Sequence, residues 1–164
     1  MTQAEERWGI DLHLLGNLER QNDRDRANDL FTAKINSPFN RNSSETPPVD
    51  LALLSGADNL KQALLLRFLT PVGELAALGH PDYGSRLFEL IGELNNETNR
   101  NRAKFFVLQA LAAEPRVKEV RSVQVTPNRI ERTQIDIRVS LIPIDSDSVL
   151  DLVFPFFLER GIRA

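Results

Sequence analysis

The run Gln134-Ile135-Asp136-Ile137-Arg138-Val139-Ser140-Leu141 alternates polar and apolar residues without a break. A side-chain period of two belongs to a β-strand, so this run is a strand with one wet face and one buried face. Ile135, Ile137, Val139 and Leu141 need a core to cover them. Residues 116–125 are also β-like, and Thr126-Pro127-Asn128-Arg129 begins the connection, so the two segments form a hairpin. Asp145-Ser146-Asp147-Ser148 makes the next turn, and residues 149–157 form a last strand. Pro155 has no N–H to give to a ladder, which sends that strand to a sheet edge or ends it there.

Helices supply the cover. After the turn Ser55-Gly56-Ala57-Asp58, with Asp58 as the expected N-cap, Leu60, Ala63, Leu64, Arg67 and Phe68 follow at helical spacing. Leu65, Leu66 and Leu69 widen that face, and Pro71 and Gly73 end the helix. A turn-rich loop, Gly79-His80-Pro81-Asp82-Tyr83-Gly84, leads to Ser85, which can cap a short helix. Leu87, Phe88, Leu90 and Ile91 are expected on one face of it, with Gly92 closing it. A longer helix is expected from Thr98 or Asn99, turning Phe105, Phe106, Leu108 and Leu111 inward. Pro115 stops it and pushes Glu114 towards an extended conformation. The expectation is an α+β fold: a small, mainly antiparallel sheet with helices on one face, preceded by an irregular N-terminal extension.

The extension differs in composition. Gln21-Asn22-Asp23-Arg24-Asp25-Arg26 is a polar, mixed-charge run, and residues 36–48 are rich in turn formers. Between them stand apolar islands, Trp8 to Leu15 and Leu30-Phe31. Such islands cannot bury themselves alone. They lie on the main domain or dock on a neighbour, so residues 1–49 are expected to be a partner-docking extension, mobile until it docks. Residues 50–164 are the expected domain.

Composition narrows the chemistry. The 164 residues include no cysteine, which removes disulfides and thiolate metal sites. No apolar run reaches the roughly 20 residues that span a bilayer. The acidic, polar start does not read as a signal peptide, so cytoplasmic assembly without membrane insertion is expected. A formal net charge of −3 argues against a nucleic-acid partner. Residues 100–132 are locally basic, which reads either as a solvated surface or as a patch for an acidic protein partner.

No phosphate loop, dinucleotide fingerprint or zinc-type spacing occurs, and His13 and His80 stand in different regions. No metal, cofactor or catalytic residue is expected. Glu74 and Asp82 flank the Gly-His-Pro loop, and Glu89 and Glu93 follow on the next helix. A glycoside hydrolase needs two carboxylates fixed across a sugar cleft, and nothing in the sequence fixes such a pair. Glu114-Pro115-Arg116 is the most distinctive triplet. It is either a helix stop with an incidental ion pair or a rigid charged corner shown to a partner, with Arg116 able to form a bidentate bond.

Three blocks carry a resemblance: Asn59 to Glu74 (NLKQALLLRFLTPVGE), Leu78 to Leu87 (LGHPDYGSRL) and Leu111-Ala112-Ala113-Glu114-Pro115-Arg116-Val117. In this order, followed by an alternating hairpin, they resemble the phage-tail baseplate wedge and sheath-initiator family. The wording is most similar to versions from extracellular phage-like contractile injection systems, and type VI secretion baseplates have a related member. The resemblance implies a structural baseplate protein, typically six copies around the inner tube. It implies other baseplate wedge proteins, sheath subunits and the tube or spike hub as partners. It implies that Glu114, Pro115 and Arg116 contact the wedge core, and that Gly79, Pro81, Tyr83, Gly84 and Ser85 form a conformational loop. It also implies that the first sheath ring adds strands to the sheet. Residues 149–157 are the expected place, with Leu150, Leu152, Phe154 and Phe156 setting the register from the core face. A lysozyme label has followed this family, so a peptidoglycan-cleaving enzyme is one alternative. A soluble anti-adaptor-like regulator on the same fold is another.

Overall fold

The structure is a computed structural model that describes residues 7–16, 31–34 and 49–158. The polar run 21–26, Leu30, the turn-rich segment 36–48 and Glu159-Arg160 lie outside the described residues. The described residues form seven strands and two α-helices, arranged as β1 (Ile10–Leu12), β2 (Thr32–Lys34), β3 (Val49–Leu51), β4 (Leu53–Ser55), α1 (Gly56–Leu69), α2 (Glu97–Ala112), β5 (Val117–Pro127), β6 (Gln134–Pro143) and β7 (Leu150–Phe157). Two short 3-10 turns, Ala76–Leu78 and Leu87–Leu90, bridge α1 and α2. The fold is α+β. β5, β6 and β7 form an antiparallel sheet with β6 in the middle, while β1 pairs with β4 and β2 with β3.

The core forms where the alternating strands meet the helices. Ile135, Ile137, Val139 and Leu141 from β6 and Leu150, Leu152, Phe154 and Phe156 from β7 are buried with Leu60, Leu64, Leu65 and Phe68 of α1. The Phe68 and Phe154 rings lie 5.8 Å apart. Burial of one such aliphatic or aromatic side chain contributes about 1.5–3 kcal/mol, so the two faces account for each other.

Helical details depart from expectation. Helix α1 begins at Gly56 with Ser55 at the N-cap, so Asp58 lies in the first turn rather than capping it. There its carboxylate still meets the positive end of the helix. Helix α2 starts at Glu97, because the Asn96 side chain accepts the Asn99 N–H at 2.8 Å. Its buried stripe is Asn99, Ala103, Phe106, Val107, Ala110 and Leu111. Phe105 is 60% exposed and Leu108 faces outward with it. Ser85 Oγ accepts the Leu87 N–H as expected, but the segment that follows is a 3-10 turn. Its three-residue period buries Leu87 and Leu90 and leaves Phe88 and Ile91 exposed.

The extension and the domain share one core. Trp8 and Leu15 are buried among the residues of the main cluster, and Phe31 stacks on His13 at 4.2 Å. Gln62, on α1, explains how an extended segment stays there. Its side-chain oxygen accepts the Leu14 and Leu15 N–H groups, and its amide nitrogen donates to Leu12 O at 2.7 Å. Asn59 donates to Trp8 O at 2.9 Å. Two buried amide side chains of α1 thus replace a missing strand neighbour. Residues 7–16 therefore lie on their own domain.

Candidate assembly interface

Three separated segments meet at one buried carboxylate. Glu114 follows the end of α2 and is 5% exposed. Arg67, in the last turn of α1, donates from Nη2 to Glu114 Oε2 at 3.1 Å. Arg116 donates from Nε to Glu114 Oε1 at 2.6 Å, and its backbone N–H reaches the same oxygen at 3.3 Å. Arg116 Nη1 also donates to Trp8 O at 3.1 Å. Trp8 Nε1 donates to Ile144 O, and Ile144 N–H bonds Arg116 O at 2.9 Å. The corner is therefore tied to the N-terminal segment and to the end of β6.

The electrostatics follow from this geometry. Burial pushes the Glu114 carboxyl up, but the hydrogen bond and charge of Arg116, with the charge of Arg67, outweigh it and hold the group below the usual carboxylate range. Arg67 is buried and lies over the Tyr83 ring, 4.5 Å from its centroid. Its Nε has no hydrogen-bond partner among the described residues. Burial raises the Tyr83 phenol, and the Arg67 charge partly opposes that rise.

The loop that carries Tyr83 is held against the end of α1. Ser85 N–H donates to Thr70 O at 2.9 Å, and Val72 N–H to Ser85 O at 3.1 Å. Gly84 has φ +112, and a Cβ there would stand 2.6 Å from Thr70 O. Only glycine lets the two backbones come this close. Gly79, also at positive φ, ends the preceding turn, and Pro81 is exposed. The three sequence blocks thus converge: Arg67 from the first, Tyr83 and Gly84 from the second, Glu114 and Arg116 from the third. Of the corner, Glu114 is engaged inside the domain. Pro115 is exposed and Arg116 is half-buried, so these two are what the corner can show to a partner.

The second element is the outer edge of β7. Leu158 N–H donates to Thr133 O at 2.8 Å, in register with the β6–β7 ladder. Backbone groups alternate sides along an antiparallel strand. Leu150, Leu152, Phe154 and Phe156 therefore turn both their side chains to the core and their backbone groups to β6. Asp151, Val153, Pro155 and Phe157 turn their backbone groups to the open side. Among the described residues no strand pairs there. Pro155 stands where the β6 ladder needs no donor, which is why a proline fits this strand. The sequence reading found the strand and its core face. It did not separate the residues whose backbone bonds β6 from those whose backbone points away from it, although the parity of Pro155 contains that information.

A sequence model described as contractile injection system sheath initiator matches residues 39–143. The match covers more than half of the chain, and the chain belongs to the sheath-initiator family. Among solved structures, a Geobacter sulfurreducens protein provisionally described as a tail lysozyme is 24% identical, with a TM-score of 0.53, covering 61% of this chain and 88% of that one. This likeness shows a shared fold. No curated protein matches the sequence. As a sheath initiator, the chain is a structural component of the baseplate of a phage-like contractile machine and works against other baseplate and sheath components. No described helix is long and apolar enough to cross a membrane.

Proposed function

We propose that this chain links the baseplate wedge to the tube and templates the first sheath ring by strand addition on β7. The side of β7 that pairs with no strand among the described residues carries this reading. An unpaired edge is an aggregation hazard in a free-standing protein, and a binding site when a partner strand is available. The family match ends at Pro143, where β6 ends, so the role of β7 rests on its geometry. Residues 50–164 act as the initiator domain, with residues 1–49 as an extension whose segment 7–16 packs on that domain and whose remainder docks on a further partner. Pro115 and Arg116 face the wedge core, and six copies surround the tube. Val153→Pro tests the templating. It removes an N–H from the open side and leaves the β6 ladder intact. The expected particles contain the variant in their baseplate but carry bare tubes by electron microscopy. Full-length sheath on such particles would refute strand addition at β7.

The role is structural rather than catalytic. A wall-cleaving enzyme would need two carboxylates across a cleft, one of them with a raised pKa. The cleft between the Gly84 loop and α2, about 180 Å³, is lined by a single carboxylate, Asp82, among the described residues. Glu89 is held below the usual carboxylate range by its hydrogen bond from Arg86. Peptidoglycan turnover lost on replacing Glu74 or Asp82 would reverse this reading. Purification as a one-to-one complex with a single regulator would favour the anti-adaptor role instead.

A further inference from the structure

The loop end of the β5–β6 hairpin is built in a way that neither the core nor the sheet edge requires. Asn128 Oδ1 accepts the N–H groups of Ile130 and Glu131, at 2.9 and 3.0 Å. Asn128 Nδ2 donates to the Asp136 carboxylate, at 3.1 Å to Oδ2 and 3.3 Å to Oδ1. Glu131 Oε1 accepts from the Thr133 hydroxyl at 2.9 Å. The loop is thereby fixed in one shape, and that shape leaves Ile130 96% exposed. Beside it lies a shallow cleft of about 420 Å³, lined by Ile130, Arg129, Arg138, Asn128, Asp136 and Gln124 with Thr126 and Pro127.

The charges in this cleft are not balanced. No ion pair engages Arg129 or Arg138 among the described residues, whereas Arg102, Arg116 and Arg121 each have a carboxylate partner. Asp136 is the one carboxylate lining the cleft. Its oxygens already accept from Asn128 Nδ2 and, at 2.6 Å, from Gln134 Nε2. Among the described residues the lining therefore sets two guanidiniums against one carboxylate, so the cleft is left net positive next to an apolar side chain held out of the domain. A rigidly displayed aliphatic residue with flanking arginines fits a protein segment that offers an apolar contact and adjacent carboxylates. A nucleic acid would meet only the two arginines and would leave Ile130 in water. The chain's net charge of −3 also opposes such a partner.

We infer that the cleft formed by Arg129, Ile130 and Arg138 docks an acidic, partly apolar segment of a neighbouring baseplate protein. This rests on the baseplate role proposed above and assigns it a second contact, away from both β7 and the Glu-Pro-Arg corner. The test places a photo-crosslinking amino acid at position 130 of the full chain and irradiates purified particles. The expected crosslink maps to one protein segment with aspartate or glutamate within a few residues of it. The double variant Arg129→Glu, Arg138→Glu should lower the crosslink yield roughly tenfold or more. Thermal unfolding of the purified chain should stay unchanged. Absence of a crosslink in particles that contain the chain, or one to nucleic acid or to a segment lacking carboxylates, overturns the cleft's role alone. Absence of the wild-type chain from particles, scored by mass spectrometry, overturns the baseplate function and this contact with it.

Discussion

Strand β5 meets β6 in a register broken twice, between Val117 and Glu119 and between Val120 and Ser122. Strand β7 meets the same β6 in eight consecutive pairs without a shift. The skipped residues on β5 are Lys118 and Arg121, so each bulge carries a cation. Bulges and edge charges are ordinary protection against an incoming strand. The start of β5 is also tied to α1 through Arg116, Glu114 and Arg67. One side of the sheet is thus irregular, charged and anchored, while the other is regular and, among the described residues, pairs with no further strand. Under the proposed templating role, a platform that accepts a strand on one side only needs this asymmetry, because addition on both sides would join platforms to each other.

The largest effect is expected on the anchored side. Glu114→Ala leaves Arg67 buried without its carboxylate, which costs about 3–5 kcal/mol. Chemical denaturation of the purified domain measures it. Arg116→Ala should cost less, because Arg116 is half-buried and water can reach the remaining groups. Equal and small losses for the two variants would mean that the anchor is incidental and that the asymmetry rests on the bulges alone.

Much of the open side was legible in the sequence. Alternation over residues 134–141 gives the faces of β6 directly, because a strand's period is fixed by its backbone. The anchored side was not. Arg67 reads as one polar residue within an apolar helix face, and its partner lies 47 positions away. Asn59 and Gln62 are polar residues of the same helix, yet both are buried because they serve the backbone of residues 8–15. Phe105 and Leu108, expected inward, face outward instead. The observed stripe runs through small or polar positions, Asn99 and Ala103, which reach the core because Asn99 bonds Leu94 O and alanine lets the helix approach β5.

Adjacent substitutions on β7 sharpen the comparison at single-residue level. Leu152→Pro removes an inward ladder bond and a buried side chain, a loss of roughly 3 kcal/mol or more. That variant should be poorly folded and scarce in baseplates. Val153→Pro should stay within about 1 kcal/mol of wild type by denaturation, since its backbone faces the open side. The matching change on the other edge is Val125→Pro, whose N–H also points away from β6. Sheath length should then be unaffected. If Val125→Pro shortened sheaths as much as Val153→Pro, the two edges would be functionally alike.

The smallest effect expected is the response to acid, and its sign follows from Glu114. The folded carboxyl is held below the usual carboxylate range, so the unfolded chain takes up this proton at higher pH than the folded one does. The stabilisation is complete above the unfolded carboxylate value, about 4.3. It is lost as pH falls from there through the lower folded value. Denaturation curves between about pH 6 and pH 3 should therefore show stability falling with acid. Glu89 contributes in the same direction through Arg86, but that pair is exposed and screened by salt. At high ionic strength the remaining slope should depend on Glu114, and Glu114→Gln, which keeps the shape of the side chain without its charge, should flatten it. A slope unchanged in Glu114→Gln would show that the buried pair does not couple protonation to folding. The anchored side would then owe its rigidity to packing and hydrogen bonds rather than to charge.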